Sequence, residues 1–559
     1  MWSEYLGNAY GFTVTPSTAP GGGNNYAAGY ALIAPEFPFW FGHSVSHFNP
    51  RFGPSQVDEY LQAVNGRADS STLYTVYIGT NDLQLTTLGG FGNVVSPQNM
   101  ARINELADLM ANQTQRLTAA GARYILVPSI ASVPLTEAAA LAADIPWDPV
   151  AASSVAYYNA RAWSVLSARG IPFIPVDFAY AATFSLTNPS LFGITETHIT
   201  ASACGTTNAY DCVSMVQPDA GSTHYFADDY GHVSAAIQRA QADYVLNLLR
   251  APQQTSQIAN QAVTTELESA RVVLDQARHS FRSGVGTLSA WVQGSAAKTR
   301  SDDALSAFRG TPRLSSAGFD YQIDDRSLVG AYVGVSGSDI RFGQYGGFSQ
   351  QGNTIGIYGI RTMGSTWVSA MAGITLTDVS SMRVAPIGML DIEAIGTTTG
   401  RNTVVSMRAG QDFNSGALVH GPVVGYSFIR SRTQGFTEYD GLGSYLATLR
   451  YDGQTVDKHW ISAGWQISMK DSFLQPTVRA TLNQDLANDD RMITSWITSS
   501  DAPSYKLPAI KPESRWAELL LSARYALTPA TTVRASLSTR AGAATPAWSM
   551  VSVGLHSSF

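Results

Sequence analysis

Residues 225–233 read Tyr-Phe-Ala-Asp-Asp-Tyr-Gly-His-Val and set Asp229 three positions before His232. A carboxylate that accepts from one ring nitrogen of a histidine fixes its tautomer and makes the other nitrogen a general base. Downstream, Ile237, Ala240, Tyr244, Val245 and Leu248 are apolar at helical spacing. The spacing predicts that Asp229 and His232 stand one turn apart on one rigid element. Taken alone, Asp-x-x-His equally describes an ordinary helix start with Asp near the N-cap. His198 and His224 have no Asp three residues before them in such a context, and surface or packing roles are expected for them.

Two earlier stretches favour chemistry. Tyr77-Ile-Gly-Thr-Asn-Asp82 closes the apolar run 73–78, which puts the Asn81 amide at the carboxyl edge of a parallel strand, where it can donate to a developing oxyanion. Asn25-Tyr-Ala-Ala-Gly-Tyr-Ala31 contains Gly29, whose missing side chain would let a backbone N–H approach the same oxygen.

In this order and at these separations, the three stretches resemble blocks of the GDSL, or SGNH, family of serine esterases and lipases. The resemblance implies an ester or lipid substrate, an oxyanion hole from Gly29 and Asn81, a triad completed by Asp229 and His232, and no cofactor or metal. It also implies a flavodoxin-like α/β passenger, with strands expected at 12–15, 73–78, 124–128 and 172–176. In that family a Val-Trp-x-Glu-Tyr-Leu segment follows the Gly-Asp-Ser-Leu block that carries the nucleophile. This chain opens on Met1-Trp-Ser-Glu-Tyr-Leu. The expectation is therefore that the nucleophilic serine, the first strand and a signal peptide lie upstream of Met1, and that the chain as written does not hydrolyse a short-chain aryl ester. Gly42-His-Ser-Val-Ser46 only partly matches a nucleophile elbow, because the final Gly is absent. The aromatic residues around it, such as Phe39, Trp40 and Phe41, suit either contact with an acyl group or ordinary packing.

The elements that must position these residues form the first of at least two domains in 559 residues. Only 14% of residues are charged, while Gly (49) and Tyr (25) are plentiful, as in outer-membrane barrels. The net charge of -7, without a basic run, argues against a nucleic-acid partner. No apolar stretch approaches the ~18 residues of a membrane helix, so a membrane protein of this composition spans by strands. Cys204 and Cys212 are the two cysteines. Their closeness suggests a disulfide and an oxidising compartment, the alternative being a pair of free thiols.

Past residue 252 the pattern changes twice. Residues 253–283 read as a polar helix with Ile258, Ala262, Leu267 and Leu274 along one side. From 284 the period becomes two: Val533, Ala535 and Leu537 alternate with Arg534, Ser536 and Ser538, and Val551, Val553, Leu555 and Phe559 share one parity. A β-sandwich can show such alternation in any one segment. The terminal aromatic strand and the preceding helix resemble the autotransporter translocator, in which a helix threads a twelve-stranded barrel. The reading is thus an esterase passenger (1–252), a linker helix (253–283) and a barrel (284–559), exported by type V secretion. It implies an outer-membrane location, a passenger on the cell surface, and contact with outer-membrane lipid and the barrel assembly machinery. The competing reading is a surface binding protein or adhesin that keeps only an esterase shell.

Overall fold

The computed structural model describes residues 1–29, 31–33, 55–83, 97–131, 134–209, 211–281, 284–301, 307–470, 473–487, 490–542 and 547–559. The segment 42–46 and its aromatic neighbours lie outside the described residues.

In the N-terminal part, Leu73–Thr75 (β1), Tyr124–Pro128 (β2) and Ile174–Val176 (β3) form a parallel sheet in the order β1-β2-β3. Parallel neighbours require crossovers, and helices supply them. Pro97–Ala119 links β1 to β2 and packs on Pro149–Ala168, which links β2 to β3. The first of these buries Ile103, Leu106, Met110 and Leu117 along one side. It ends at Gly121, whose φ of +120° no side chain adopts easily. The second opens with Asp148 accepting from the Val150 and Ala151 amides, and Pro149 takes the first helical position, where no N–H is needed.

The expected strand at 12–15 does not form. That segment closes on its own loop instead: Asn25 N–H donates to Thr15 O (2.9 Å), Thr15 N–H to the Asn24 side chain (3.0 Å), and Ser17 N–H to Asn25 O (2.8 Å). Among the described residues no strand pairs with β1 on the side away from β2.

One helix, Ala235–Ser280, runs unbroken for 46 residues. The polar helix expected from 253 is therefore the second half of the helix that follows His232. Pro252 sits inside it without a kinking gap. A proline cannot donate to the carbonyl four residues back, and here the hydroxyl of Tyr505 donates to Leu248 O at 3.0 Å in its place.

Around the lower half of this helix, twelve antiparallel strands of the described residues close a barrel, the last, Ala547–Ser558, pairing with the first, Leu288–Ser301. The period-two pattern has the expected sides. Leu519, Leu521, Leu537, Val551, Val553 and Leu555 face outward, while Arg534, Ser538 and Ser552 are buried within. Closure satisfies every ladder edge internally, as a lipid-embedded sheet requires. Among the described residues no helix is long and apolar enough to cross a membrane.

Above the barrel, two loops fold into a small antiparallel sheet of Phe436–Thr437, Leu449–Tyr451, Met492–Ile497 and Tyr505–Pro508. Its Leu449, Ile493, Ile497 and Tyr505 belong to the same apolar cluster as Phe178, Tyr244, Val245 and Leu248 of the N-terminal part. The two parts thus share one hydrophobic core.

Candidate functional site

Residues 226–233 form a closed turn rather than the first turn of a helix. Phe226 bridges Val233, and Ala227 N–H donates to His232 O at 2.7 Å. Gly231 makes the return possible with φ +92°. The helix begins only at Ala235, with Ser234 as N-cap. Asp229 and His232 therefore do not share a helical turn, and the expected pairing is corrected: His232 Nδ1 lies 2.8 Å from Oδ2 of Asp228, while Asp229 is exposed to solvent. A fifth residue in the turn carries the neighbouring carboxylate back under the ring.

Asp228 is held from three sides. Its Oδ2 accepts from the Ala209 amide (2.8 Å) as well as from His232 Nδ1, and its Oδ1 accepts from the His232 amide (3.1 Å). Its side chain is fully buried, whereas 47% of the imidazole surface remains accessible. Burial works to raise the Asp228 carboxyl, but the Ala209 and His232 hydrogen bonds outweigh it and hold it below the usual carboxylate range. A buried, ionised carboxylate on Nδ1–H makes Nε2 the basic nitrogen and stabilises an imidazolium when it forms.

The second group of residues is joined by its own bonds. Asn81 stands in a helical turn after β1, and its amide donates to Ala31 O at 3.0 Å. The next residue, Asp82, accepts from the buried Ile33 amide at 2.9 Å. The stretches containing Gly29 and Asn81 are thereby tied together, with Gly29 in an exposed turn two residues before Ala31. Gly79 has φ +122°, and a Cβ there would meet the Tyr158 hydroxyl at 2.9 Å. That hydroxyl donates to Ile78 O at 3.2 Å and fixes the start of the turn. Tyr77 and Trp2 both pack edge-on against Phe178.

Cys204 and Cys212 are disulfide-bonded. His198 lies exposed near Glu196 (3.7 Å), and His224 is buried beside the Thr223 hydroxyl (3.1 Å).

The helix that follows His232 is clasped at the barrel mouth. Asn247 donates to Ala447 O (3.2 Å) and accepts from Arg383, whose guanidinium also pairs with buried Glu438 (2.6 Å). Asp243 accepts from the Gly388 amide at the tip of a barrel hairpin (3.0 Å), Tyr180 donates to Ser444 O (2.6 Å), and Ser499 donates to Asp177 at 2.9 Å. None of these contacts was legible in advance, because each joins segments far apart in the chain.

Residues 290–538, which include most of the barrel, match the family model described as autotransporter beta-domain. The barrel is an autotransporter β-domain. The autotransporter barrel lies in the outer membrane and holds its passenger, the N-terminal part, at the cell surface. The chain is 21% identical to Lipase 1 of Photorhabdus luminescens over 631 aligned positions, covering all of this chain and 92% of that one. It is 23% identical to an uncharacterized Pseudomonas putida protein of the trpE-trpG intergenic region, over 80% of this chain and 74% of that protein. Among solved structures, it is similar to the translocator domain of the autotransporter NalP from Neisseria meningitidis, with 12% identity, 54% of this chain and 98% of that chain covered, and a TM-score of 0.44.

Proposed function

We propose that the passenger is a carboxylic ester hydrolase displayed outside the outer membrane, with His232 as its general base and Asp228 as the carboxylate that orients it. The observation that carries this reading is the buried Asp228 carboxylate on Nδ1 of a half-exposed imidazole. Similarity along the whole chain to a protein named as a lipase supports it. In the reaction a serine attacks the ester carbonyl while His232 Nε2 takes its proton, and Asp228 stabilises the imidazolium. Gly29 N–H and Asn81 are the proposed oxyanion donors, their two stretches being tied by the Asn81 to Ala31 bond. Collapse of the intermediate expels the alcohol, which takes the proton from His232. The acyl-enzyme is then hydrolysed by water that the same imidazole activates. By the resemblance to GDSL enzymes, the serine is that of a Gly-Asp-Ser-Leu block.

A fluorophosphonate probe on cells displaying the passenger tests this, with peptide mass spectrometry to identify the labelled serine and a short-chain aryl ester to measure turnover. Turnover and labelling that both fail in His232→Ala support the proposal. A folded, surface-exposed passenger that carries such a block, yet labels no serine and turns over no ester, would instead be a binding protein.

A further inference from the structure

We propose that the Cys204–Cys212 disulfide is a positioning device for the His232 site, holding the Ala209 N–H on Asp228 and so setting how strongly that carboxylate draws the proton on His232. This deepens the reading of Asp228 and His232 as a base pair, but its test does not depend on ester turnover.

The loop between the cysteines is tied at its start to the turn that bears Asp228. Ala203 and Cys204 donate to Phe226 O (3.0 Å) and Ala227 O (2.7 Å), stitching the start of the loop to the turn that bears Asp228. Beyond Ala209 the chain runs into solvent: Asp211, Val213 and Ser214 are exposed, Val213 almost completely. Its next backbone anchor is Val216 N–H on Ala203 O (2.7 Å). The disulfide is a covalent link that returns the outer leg of the loop to its start, and Ala209 lies between the two sulfurs in sequence.

The Ala209 N–H and His232 Nδ1 meet the same oxygen, Oδ2 of Asp228. Each donor to a carboxylate oxygen withdraws charge from it. Loss of the Ala209 bond leaves more negative charge on the oxygen that faces the ring, which favours the imidazolium. The other titratable groups around the pair are Asp229 and Tyr230 in the turn, Asp211 in the loop, and Glu196 and His198 on the segment whose Ile199 packs against Gly231.

The test uses the full chain in outer-membrane vesicles and follows the carbethoxylation of His232 by diethyl pyrocarbonate against pH, read by peptide mass spectrometry. In Cys204→Ser/Cys212→Ser the midpoint for His232 should rise by roughly half to one pH unit, while exposed His198 keeps its own midpoint as an internal reference. Ala209→Pro removes the N–H and keeps the disulfide, and should give the same shift; phosphine reduction of the unaltered chain gives it without any substitution. A disulfide that only braces the fold would change the yield or heat stability of the protein without moving the midpoint. An unchanged His232 midpoint after reduction and in Ala209→Pro overturns the proposal. Ester turnover that survives His232→Ala would sink the functional reading instead and leave this shift to be judged separately.

Discussion

The two halves of the helix Ala235–Ser280 have the same backbone and different surroundings. Its outer half is held by apolar contact, with Ile237, Tyr244, Val245 and Leu248 buried in the core shared with the passenger and the barrel loops. Its inner half packs Val263, Val273 and Leu274 into a cluster with Trp291, Tyr358, Trp367 and Val404 of the barrel wall, and adds a set of buried ion pairs. Glu268 meets Arg271 (2.9 Å) and Arg540, Asp275 meets Arg408 (2.5 Å) and Arg479 (2.7 Å), and Arg278 meets Asp412. The lumen explains the ion pairs: barrel strands turn many apolar side chains to lipid, so the wall presented to the helix carries charged groups beside its aromatic and aliphatic ones. A helix there is positioned by buried ion pairs as well as by apolar area. The site-bearing end of the helix is thus fixed to the passenger, and its far end to the membrane anchor.

The contrast can be broken at its charged end with the largest effect. Asp275→Ala leaves Arg408 and Arg479 buried without their shared carboxylate, and removal of one partner from a buried pair costs about 3–5 kcal/mol. The heat-resistant, fast-migrating form of the barrel on gels should be lost at a clearly lower temperature. An unchanged transition would mean that water in the lumen screens these charges. In the outer half, Leu248→Ala removes a side chain that is 1% exposed, at about 2–5 kcal/mol. It should expose the passenger to added protease on intact cells while the barrel's own transition stays in place. A loss of both together would mean that the two halves fold as one unit.

A smaller effect sits between the halves. Tyr505→Phe strips the Leu248 carbonyl of its donor, a loss of about 1–3 kcal/mol for a buried group. That loss should nearly vanish in a Pro252→Ala background, where residue 252 regains an N–H for the same carbonyl. Additive effects of the two substitutions would contradict the compensation. The mildest prediction concerns acid. Asp228 is held below its ordinary value, so the stability it lends the turn is fully present above about pH 3.9 and is lost as pH falls through the folded-state value. Hydrogen exchange at the Ala209 and His232 amides, corrected for intrinsic rate, should lose protection in that window. Protection maintained to pH 2 would contradict the assignment.

Much of the lower molecule was legible from local pattern. The parity of Val551, Val553 and Leu555 gives the lipid face directly, because each strand obeys the same two-sided environment along its length. The proximity of Cys204 and Cys212 was likewise sufficient for their bond. The site was legible only to the level of the stretch. Asp-x-x-His matches a helical period, but Gly231 and Ser234, a turn former and an N-cap, carried the signal that the helix starts later and that Asp228 returns to the ring. The composition change at Pro252 resembled a helix boundary because propensity is a local quantity. A tyrosine 253 residues further on removed the penalty. The strand expected at 12–15 failed for a related reason, since a strand is defined by the neighbour it pairs with.

The central claim is that Asp228, and not Asp229, serves His232. The direct test compares Asp228→Asn with Asp229→Asn in a displayed passenger that carries the Gly-Asp-Ser-Leu block, measuring aryl ester turnover alongside surface exposure of the folded domain. Asp228→Asn should lower kcat by about 10⁴-fold, as expected when the orienting carboxylate of such a base is neutralised, and Asp229→Asn should stay within a few-fold of the parent. The reverse pattern, with Asp229→Asn inactive and Asp228→Asn near normal, would contradict the account.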